Sequence, residues 1–480
     1  MRSKLQQAGL VLVGLIAGVL ISLNFSASAQ KGEAAAPLPV EELRSFADVF
    51  SAIKQGYVEP IDDKKLITYA ISGMLANLDP HSAYLDADSF KDLQVSTQGE
   101  FGGLGIEVGM EDGLVKVVSP IEDTPAYRAG VKAGDLIVKL DDTPVKGMTL
   151  NDAVKKMRGK PKTQIVLTIL RKGEAKPLVL TLTRDKIKVA SVKSKLIEPG
   201  YGYLRVTQFQ EETSADVVRH LEKLYKQDKE ANKGDGLKGL ILDLRNDPGG
   251  LLHGAIGVAA AFLPEKTLVV STDGRTEDAK RKYLATAEDY QRGHGEDVLK
   301  SLPAAARTVP MIVLVNGGSA SASEIVAGAL QDHRRALIVG TQTFGKGSVQ
   351  TILPLSSNTA IKLTTARYYT PSGRSIQAKG ISPDVTVEET PNGATNHDHL
   401  READLERHLE NDKDAAAAAP KEATPAKTPK NGKTKPKDAP KDDSEDTPPQ
   451  GPAFEFAAKN DYQMNQAVNL LKAWQIMQKK

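Results

Sequence analysis

The sequence predicts an α/β fold for the central part of the chain, built from units in which a strand, a helix and a second strand follow one another. Two short apolar runs, residues 237–245 and 311–315, indicate buried strands. Between residues 214 and 227 the apolar side chains recur at helical spacing, which indicates a helix with one buried face. Strands and helices alternate in this way from residue 202 to residue 340, as is typical of βαβ units. We therefore expect a mixed α+β body over residues 187–388, with helices in the N- and C-terminal regions.

Composition excludes several kinds of function. The chain has 480 residues, a net charge of +2 and no cysteine. The lack of cysteine excludes disulfides, thiolate metal sites and a cysteine nucleophile. The small net charge gives no reason to expect nucleic-acid binding. The sequence contains no His-Glu-x-x-His motif, so we expect neither a metal nor a cofactor.

The first 29 residues have the pattern of a secretory signal peptide. Arg2 and Lys4 precede an uncharged apolar run over residues 8–23, and a small-residue cleavage pattern ends at Ala29. The apolar run is shorter than the roughly 20 residues that span a bilayer comfortably. We therefore expect a cleaved signal and export to the periplasm or cell envelope. The alternative is an uncleaved anchor, and only then would the protein contact the membrane.

Both terminal regions are predicted to contain helices. Residues 30–99 contain two stretches with helical periodicity, followed by a turn over residues 78–85 in which we interpret His81 as structural. Residues 389–452 are predicted to be a disordered, low-complexity linker, because most of this segment lacks large apolar side chains. Residues 453–480 are predicted to form an amphipathic helix, with an apolar face of Met464, Ala467, Leu470, Leu471, Trp474 and Met477. Such a helix must pack either on the body of the protein or on a second subunit, which makes a homo-oligomer through the terminal helices one possibility.

Residues 100–186 are predicted to be a separate module. A glycine-rich loop formed by Gly103, Leu104, Gly105 and Ile106 leads into a strand, and a helix begins near Thr149. The order of elements resembles a PDZ domain of the type attached to bacterial proteases. Successive N–H groups in such a loop can bind a peptide carboxylate. We expect Leu104, Ile106, Leu150 and Val154 to line the apolar pocket for the peptide. A β-sheet with a simple glycine bend is the alternative interpretation.

The most informative stretch runs from Asn316 to Gln350. Ser321 opens a helix, where free N–H groups and the helix dipole can stabilise negative charge. Lys346 follows after one helix and one strand and is flanked by glycines, so its amine could reach Ser321 and act as a base. Gln350 could hydrogen-bond that amine and orient it. Taken singly, Ser321-x-x-Glu324 is also a capping box, a structural helix start, and Gly-Lys-Gly is usually a turn.

This stretch resembles the active-site region of the carboxyl-terminal processing, or tail-specific, proteases. The shared patterns are Ser-Ala-Ser-Ala-Ser-Glu-Ile and Phe-Gly-Lys-Gly-x-Val-Gln, and the resemblance extends over roughly residues 40–388. It implies that Ser321 is the nucleophile, Lys346 the general base and Gln350 the residue that positions the lysine. It also implies an exported serine endoprotease that recognises the C-terminal tails of protein substrates through its PDZ domain. An adaptor protein is a further possible partner.

The loop at residues 244–250 is similar to the family's Leu-Arg-Asn-x-Pro-Gly-Gly loop. Acyl transfer needs two donors aimed at the carbonyl oxygen. We expect one N–H from Gly249 or Gly250 and the other from Ala322, although Pro-Gly-Gly is also an ordinary turn sequence.

Two other functions compete with the protease. One is a peptide-binding module or chaperone whose protease body is inactive or depends on an adaptor, and the intact set of Ser321, Lys346 and Gln350 argues against it. The other is an α/β-hydrolase esterase, which is disfavoured because Gly317-x-Ser319-x-Ser321 lacks the final glycine of Gly-x-Ser-x-Gly.

Overall fold

A computed structural model describes residues 39–121, 124–174, 176–231, 236–293, 295–355, 358–391, 400–413 and 456–478. The predicted signal peptide and residues 392–399 and 414–452 of the predicted linker lie outside these ranges. Among the described residues, no helix combines the length and the apolar character needed to cross a membrane. Contacts divide the chain into two compact units, Met1–Ala70 and Ile71–Lys480, which are described in turn.

The first unit contains helix α1 (Val40–Gly56) and the start of α2 (Asp63–Ala76). An ion pair of 2.8 Å between Lys54 and Asp63 joins the two helices. No residue of α1 is buried. Its apolar residues at positions 40, 43, 46, 49 and 53 are between 37% and 64% exposed.

After the remainder of α2, the second unit contains β1 (Ala83–Leu85) and α3 (Ala87–Gln98), followed by a small β-rich module. The elements of the module are β2 (Glu100–Gly103), β3 (Ile106–Glu111), β4 (Leu114–Pro120), α4 (Pro125–Arg128), β5 (Leu136–Leu140), β6 (Thr143–Pro144), α5 (Leu150–Met157), β7 (Gln164–Leu170), β8 (Leu178–Thr183) and β9 (Asp185–Lys188). An antiparallel sheet has the order β3-β4-β5-β7-β8, with β6 beside β5. Strands β2 and β9 pair with each other, so the two ends of the module meet.

The large body follows this module. Its elements are β10 (Val192–Glu198), β11 (Tyr201–Val206), α6 (Thr213–Ala231), β12 (Gly239–Asp243), α7 (Leu252–Ala260), β13 (Leu268–Gly274), β14 (Arg281–Leu284), α8 (Ala287–Tyr290), β15 (Met311–Val315), α9 (Ala322–Asp332), β16 (Leu337–Gly340), β17 (Ser348–Pro354), β18 (Ala360–Tyr369), β19 (Val385–Thr386) and α10 (Tyr462–Gln478). The central sheet has the order β10-β11-β12-β15-β16-β19, and all neighbours from β11 to β19 are parallel. The α/β prediction is confirmed.

Side chains of the central sheet alternate between two cores, as the pleat of a strand requires. In β12, Leu240 and Leu242 pack with helices α6, α7 and α9 on one face. Ile241 points to the opposite face, where it joins a second core. Helix α10 covers this second face with Met464 and Leu471, both at most 2% exposed. Of the two expected partners for the C-terminal helix, the structure shows the body of the protein.

The remaining strands form an antiparallel sheet with the order β1-β18-β13-β14, and β17 pairs with β18. One part of the linker prediction is corrected here. Residues 400–413 were expected to be disordered, but they pack on the body with Glu402 0% and Asn411 7% exposed. Their polar side chains are buried because the body supplies hydrogen-bond partners for them, which composition does not reveal.

The order of the central sheet positions the candidate site. Strands β12, β15 and β16 are parallel neighbours, so the loops that follow their carboxyl ends lie side by side. These loops contain the Pro-Gly-Gly sequence, Ser321 and Lys346 respectively.

Candidate active site

Ser321 lies in a strained turn between β15 and α9. Its φ is +54° and its ψ is −109°, a backbone conformation that residues other than glycine seldom adopt. The neighbouring serines support the turn: Ser319 Oγ donates to Leu244 O at 2.8 Å, and Ser323 Oγ donates to Asp247 O at 2.9 Å. Both flanking hydroxyls therefore hold the turn at Ser321 against the loop after β12.

The Glu324 carboxylate joins two segments: the turn at Ser321, called the serine turn, and the loop after β16 that contains Lys346, called the lysine loop. Its Oε2 accepts from Ser321 N at 2.8 Å and from Lys346 N at 2.9 Å. Its Oε1 accepts from Thr343 Oγ1 at 2.6 Å and from Gly345 N at 2.7 Å. Burial raises the pKa of Glu324 to about 7, although these hydrogen bonds oppose the rise. The predicted Ser321–Glu324 capping contact is present, and the contacts to the lysine loop are additional.

Lys346 lies at the end of the loop after β16 and is half-buried. Burial lowers the pKa of its amine below the ordinary value, and the nearby positive charge of Lys362 lowers it further. The carboxylates of Glu402, Glu324 and Asp79 act in the opposite direction. An amine whose pKa is lowered in this way is better able to accept a proton near neutral pH.

Gln350 is placed differently from the sequence-based expectation. Its Nε2 donates to Ser348 Oγ at 3.0 Å and to Thr364 Oγ1 at 3.3 Å. Gln350 lies opposite Thr364 in the β17–β18 pair, and this register directs the amide along the sheet. No hydrogen bond between Gln350 and Lys346 is found within the described part of the chain.

The Pro-Gly-Gly loop packs directly against the serine turn. Gly249 has φ of +99°, and a Cβ at this position would lie 2.9 Å from both Ala322 N and Ser321 Cβ. Only glycine fits so close an approach. Ala320 N donates to Asp247 O at 3.0 Å and ties the two loops together.

The three expected oxyanion donors differ in whether their N–H groups already have an acceptor. Gly249 N donates to Asp247 Oδ1 at 2.8 Å. The N–H groups of Gly250 and Ala322 donate to no group in the described ranges. Ala322 is the first residue of α9, so its N–H is one of those that a helix leaves without a partner. Burial raises the pKa of Asp247 to about 8.

The structure brings together only some of the predicted peptide-binding residues of the β-rich module. The N–H groups of Leu104 and Gly105 donate to no group in the described part of the molecule, as a carboxylate-binding loop requires. Ile106, Leu150 and Val154 are half-buried around one core. The Leu104 side chain is 3% exposed and belongs to that core, so it does not line an open pocket.

Gly103 does not belong to the loop of Leu104 and Gly105 that is expected to bind the peptide carboxylate. It is the last residue of β2 and pairs with Asp185 of β9, so its place is in the two-stranded sheet.

Sequence analysis did not identify several polar residues around the lysine loop. Glu402 is fully buried, and its Oε2 lies 2.7 Å from His81 Nε2. Asp79 Oδ1 accepts from Thr364 Oγ1 at 3.0 Å, and Thr364 in turn contacts Gln350. The Asp-Pro-His-Ser turn could have drawn attention to Asp79 and His81. Glu402 has no such signal, because it is one of several charged residues in its segment.

Comparison with known proteins agrees with this geometry. Residues 200–387 match the model of peptidase family S41, residues 102–194 match a PDZ domain, and residues 20–89 match the N-terminal domain of the activating protease CtpB. The carboxy-terminal-processing protease of Bartonella bacilliformis is 51% identical over 385 residues, which cover 79% of this chain and 84% of the relative. The chain belongs to the S41 family of carboxyl-terminal processing proteases.

A further relative agrees with this assignment. The S41 peptidase is 34% identical to carboxy-terminal processing protease CtpA of Bacillus subtilis, over 81% of this chain and 78% of the relative. A solved structure of the photosystem II D1 C-terminal processing protease is 32% identical, covers 72% of this chain and 93% of its own, and has a TM-score of 0.40. The S41 peptidase is thus a serine-type peptidase with a PDZ domain.

Proposed function

We propose that this S41 peptidase is an exported endopeptidase that cleaves proteins selected by their C-terminal tails and uses Ser321 and Lys346 as a catalytic dyad. One observation carries the dyad: a single oxygen of Glu324 accepts hydrogen bonds from the backbone nitrogens of both residues, at 2.8 and 2.9 Å. This shared acceptor brings the two loops together. The proposed nucleophile and its base lie in loops that follow different strands. A shared contact that holds these loops close together is therefore needed for proton transfer between the two side chains.

The reaction follows the acyl-enzyme scheme. Ser321 Oγ attacks the scissile carbonyl while the Lys346 amine takes the hydroxyl proton. Lys346 then passes that proton to the leaving amine as the peptide bond breaks. A water molecule gives a proton to Lys346 and attacks the ester. Lys346 then returns that proton to Ser321 Oγ as the ester bond breaks, which releases the new C-terminal carboxylate and restores both the serine and the neutral amine. The lowered pKa of Lys346 supports its role as the acceptor.

The oxyanion that forms in this scheme needs two N–H donors. Ala322 N–H is free to be one of them. Gly250 N–H is free to be the second, whereas Gly249 N–H supplies it only after leaving Asp247. Gln350 is proposed to orient Lys346, which requires its amide to leave Ser348 and Thr364.

Tail recognition is assigned to the PDZ domain. The N–H groups of Leu104 and Gly105 donate to no other described group, which supports carboxylate binding. The half-buried Ile106, Leu150 and Val154 support an apolar groove for the last side chains of the bound peptide. The names of the relatives, which describe carboxy-terminal processing, agree with this assignment.

Export is proposed from the first 29 residues alone. Sequencing the N-terminus of the mature protein, isolated from the cell envelope, tests it. We expect Gln30 as the first residue, and an intact Met1 would instead indicate an uncleaved anchor.

Self-association is proposed from α1. Its unburied apolar stripe includes Leu43, Phe46 and Val49, and a surface of this kind favours pairing with another apolar helix. We expect Phe46→Glu to reduce the mass measured by light scattering to that of a monomer. A monomeric unmutated protein would contradict the proposal.

The dyad is tested with the purified mature chain and its Ser321→Ala and Lys346→Ala variants. Each is incubated with a poorly folded reporter that carries either an apolar or a charged C-terminal tail. We expect cleavage of the apolar-tailed reporter by the unmutated chain and loss of cleavage in both variants. Full activity in either variant would refute the dyad. Tail-dependent binding without cleavage by the unmutated chain would support a binding module or a need for an adaptor protein.

A further inference from the structure

Residues 400–413 form a strap across the lysine loop. They lie beyond residues 200–387, the part that matches the S41 family model. Within the strap, Glu402 is 0% exposed. A carboxylate is rarely buried so completely unless other groups hold it, so its partners indicate what it does.

Glu402 contacts the backbone before Gly345-Lys346 directly and is linked to the backbone after it through Gln377. On one side, its own N–H donates to Phe344 O at 3.1 Å. On the other, Gln377 Nε2 donates to Glu402 Oε1 at 2.8 Å, and Gln377 Oε1 accepts from Gly347 N at 3.0 Å. The strap residue therefore fixes the loop immediately before and immediately after the glycine and lysine.

The strap is itself firmly anchored. His81 Nε2 lies 2.7 Å from Glu402 Oε2. Gln377 Nε2 also donates to Leu409 O at 3.0 Å, and Asn411 Nδ2 donates to Gln377 O at 2.7 Å. Both ends of the strap thus converge on Gln377, which bridges the strap to the lysine loop.

We propose that Glu402 is a positioning residue for Lys346, which holds the lysine loop through Phe344 and Gln377 and places a buried negative charge near the amine. This inference rests on the proposed dyad. It assigns a role in the reaction to a segment outside the matched family domain.

The charges around Lys346 determine how its pKa should change when Glu402 is replaced. Burial and Lys362 of β18 lower the pKa of the amine, whereas Glu402, Glu324 of α9 and Asp79 raise it. Hydrogen bonds from His81 and Gln377 overcome the effect of burial and keep the pKa of Glu402 below its ordinary value, so Glu402 is ionised at neutral pH. Removing this negative charge must lower the pKa of Lys346. The acid limb of kcat/KM, which follows the deprotonation of the base, must then move to lower pH.

Glu402→Gln is tested by the pH profile of kcat/KM on the apolar-tailed reporter. We expect the plateau to fall by about tenfold or more, because a displacement of a base by about 1 Å costs up to about a hundredfold. We also expect the acid limb to move to lower pH. A structural defect alone would not move this limb. An unaltered plateau, or an acid limb that stays in place, overturns the proposal.

Two variants accompany this measurement. Glu406→Gln makes the same charge change at an exposed position of the strap and should leave the profile unchanged. Gln377→Ala removes the bridge to Gly347 but keeps the Glu402 charge, so the plateau should fall without a move of the limb to lower pH. Gln377→Ala also keeps the proposal testable if Glu402→Gln does not fold, since an unaltered plateau would then overturn it.

The Lys346→Ala variant separates the two levels of inference. If Lys346→Ala remains active, the proposed dyad fails. If Lys346→Ala is inactive and Glu402→Gln behaves as the unmutated chain, the dyad stands and only the role of Glu402 fails.

Discussion

Arg245 donates two hydrogen bonds to Asp461, at 2.9 and 2.6 Å, and thereby joins the loop after β12 to the residue that precedes α10. The same guanidinium donates to Asp243, which also accepts from Arg205 at 3.0 Å. Two arginines thus share two aspartates in a buried network. The helix is held at the point where the Pro-Gly-Gly loop begins.

Asp461→Asn should destabilise the protein by about 3 kcal/mol, because the buried guanidinium of Arg245 would lose a charged partner. Urea unfolding followed by circular dichroism measures the change. Lys472→Ala is the control, since it breaks the more exposed pair with Glu198 in the same helix and should cost less than about 1 kcal/mol. Equal losses in both variants would contradict the buried network.

Lys362→Ala should move the acid limb of kcat/KM to higher pH. Lys362 is a like charge that lowers the pKa of Lys346, so its removal allows that pKa to rise. The base then stays protonated to a higher pH. The pH profile on the apolar-tailed reporter measures the shift, and the exposed Lys193→Ala serves as the control. A shift toward lower pH would mean that Lys346 is not the titrating base.

Asp247→Asn should change how stability depends on pH. Burial raises the pKa of Asp247 to about 8, whereas an unfolded aspartate has a pKa near 4. Between these values the folded protein binds the proton more tightly, so this group makes stability fall as the pH rises, and its effect is constant above pH 8. The asparagine amide oxygen can still accept from Gly249 N–H but does not titrate.

Urea unfolding between about pH 5 and pH 8 tests this expectation. The stability of Asp247→Asn relative to the unmutated protein should increase steadily with pH. Asp273→Asn, at an exposed position, should show no such trend. A difference that stays constant over the whole range would show that Asp247 does not titrate in the folded protein.

Gly105→Ala should abolish tail binding by the PDZ domain. Gly105 has φ of +75°, and a Cβ there would lie 2.2 Å from Thr124 Cβ, so the loop cannot keep its shape. Fluorescence anisotropy with a short peptide that has a free C-terminal carboxylate measures the affinity. Gly109→Ala is the matched control, because its nearest contact would be an ordinary 3.8 Å from Val118. Unchanged binding by Gly105→Ala would place the carboxylate elsewhere.

Local patterns account for what could be predicted from the sequence. The apolar strand before Ser321, the capping contact to Glu324 and the glycines around Lys346 all act over a few residues. The contacts of Glu324 with the lysine loop cross the sheet, and they depend on β15 and β16 being neighbours. Single-sequence periodicity does not contain this information.

The C-terminal helix shows the same limit. Its apolar face was predicted as Met464, Ala467, Leu470, Leu471, Trp474 and Met477. Met464, Ala467 and Leu471 are buried as predicted, but Met477 is 76% exposed. Contact with the sheet extends to Gln475, whose Oε1 accepts from Tyr201 OH at 2.8 Å, and the following residues project away. Where a partner surface stops cannot be predicted from the helix alone.

The position of α10 also has a consequence for biosynthesis. One face of the central sheet, including Tyr203 and Ile241, is covered by a helix that the ribosome adds only after the long stretch that follows β19. Until then, this face and the guanidinium of Arg245 lack their cover, and the loop that Arg245 precedes lacks its anchor. The packing of this face and the anchoring of the loop after β12 are therefore completed only once α10 has been synthesised.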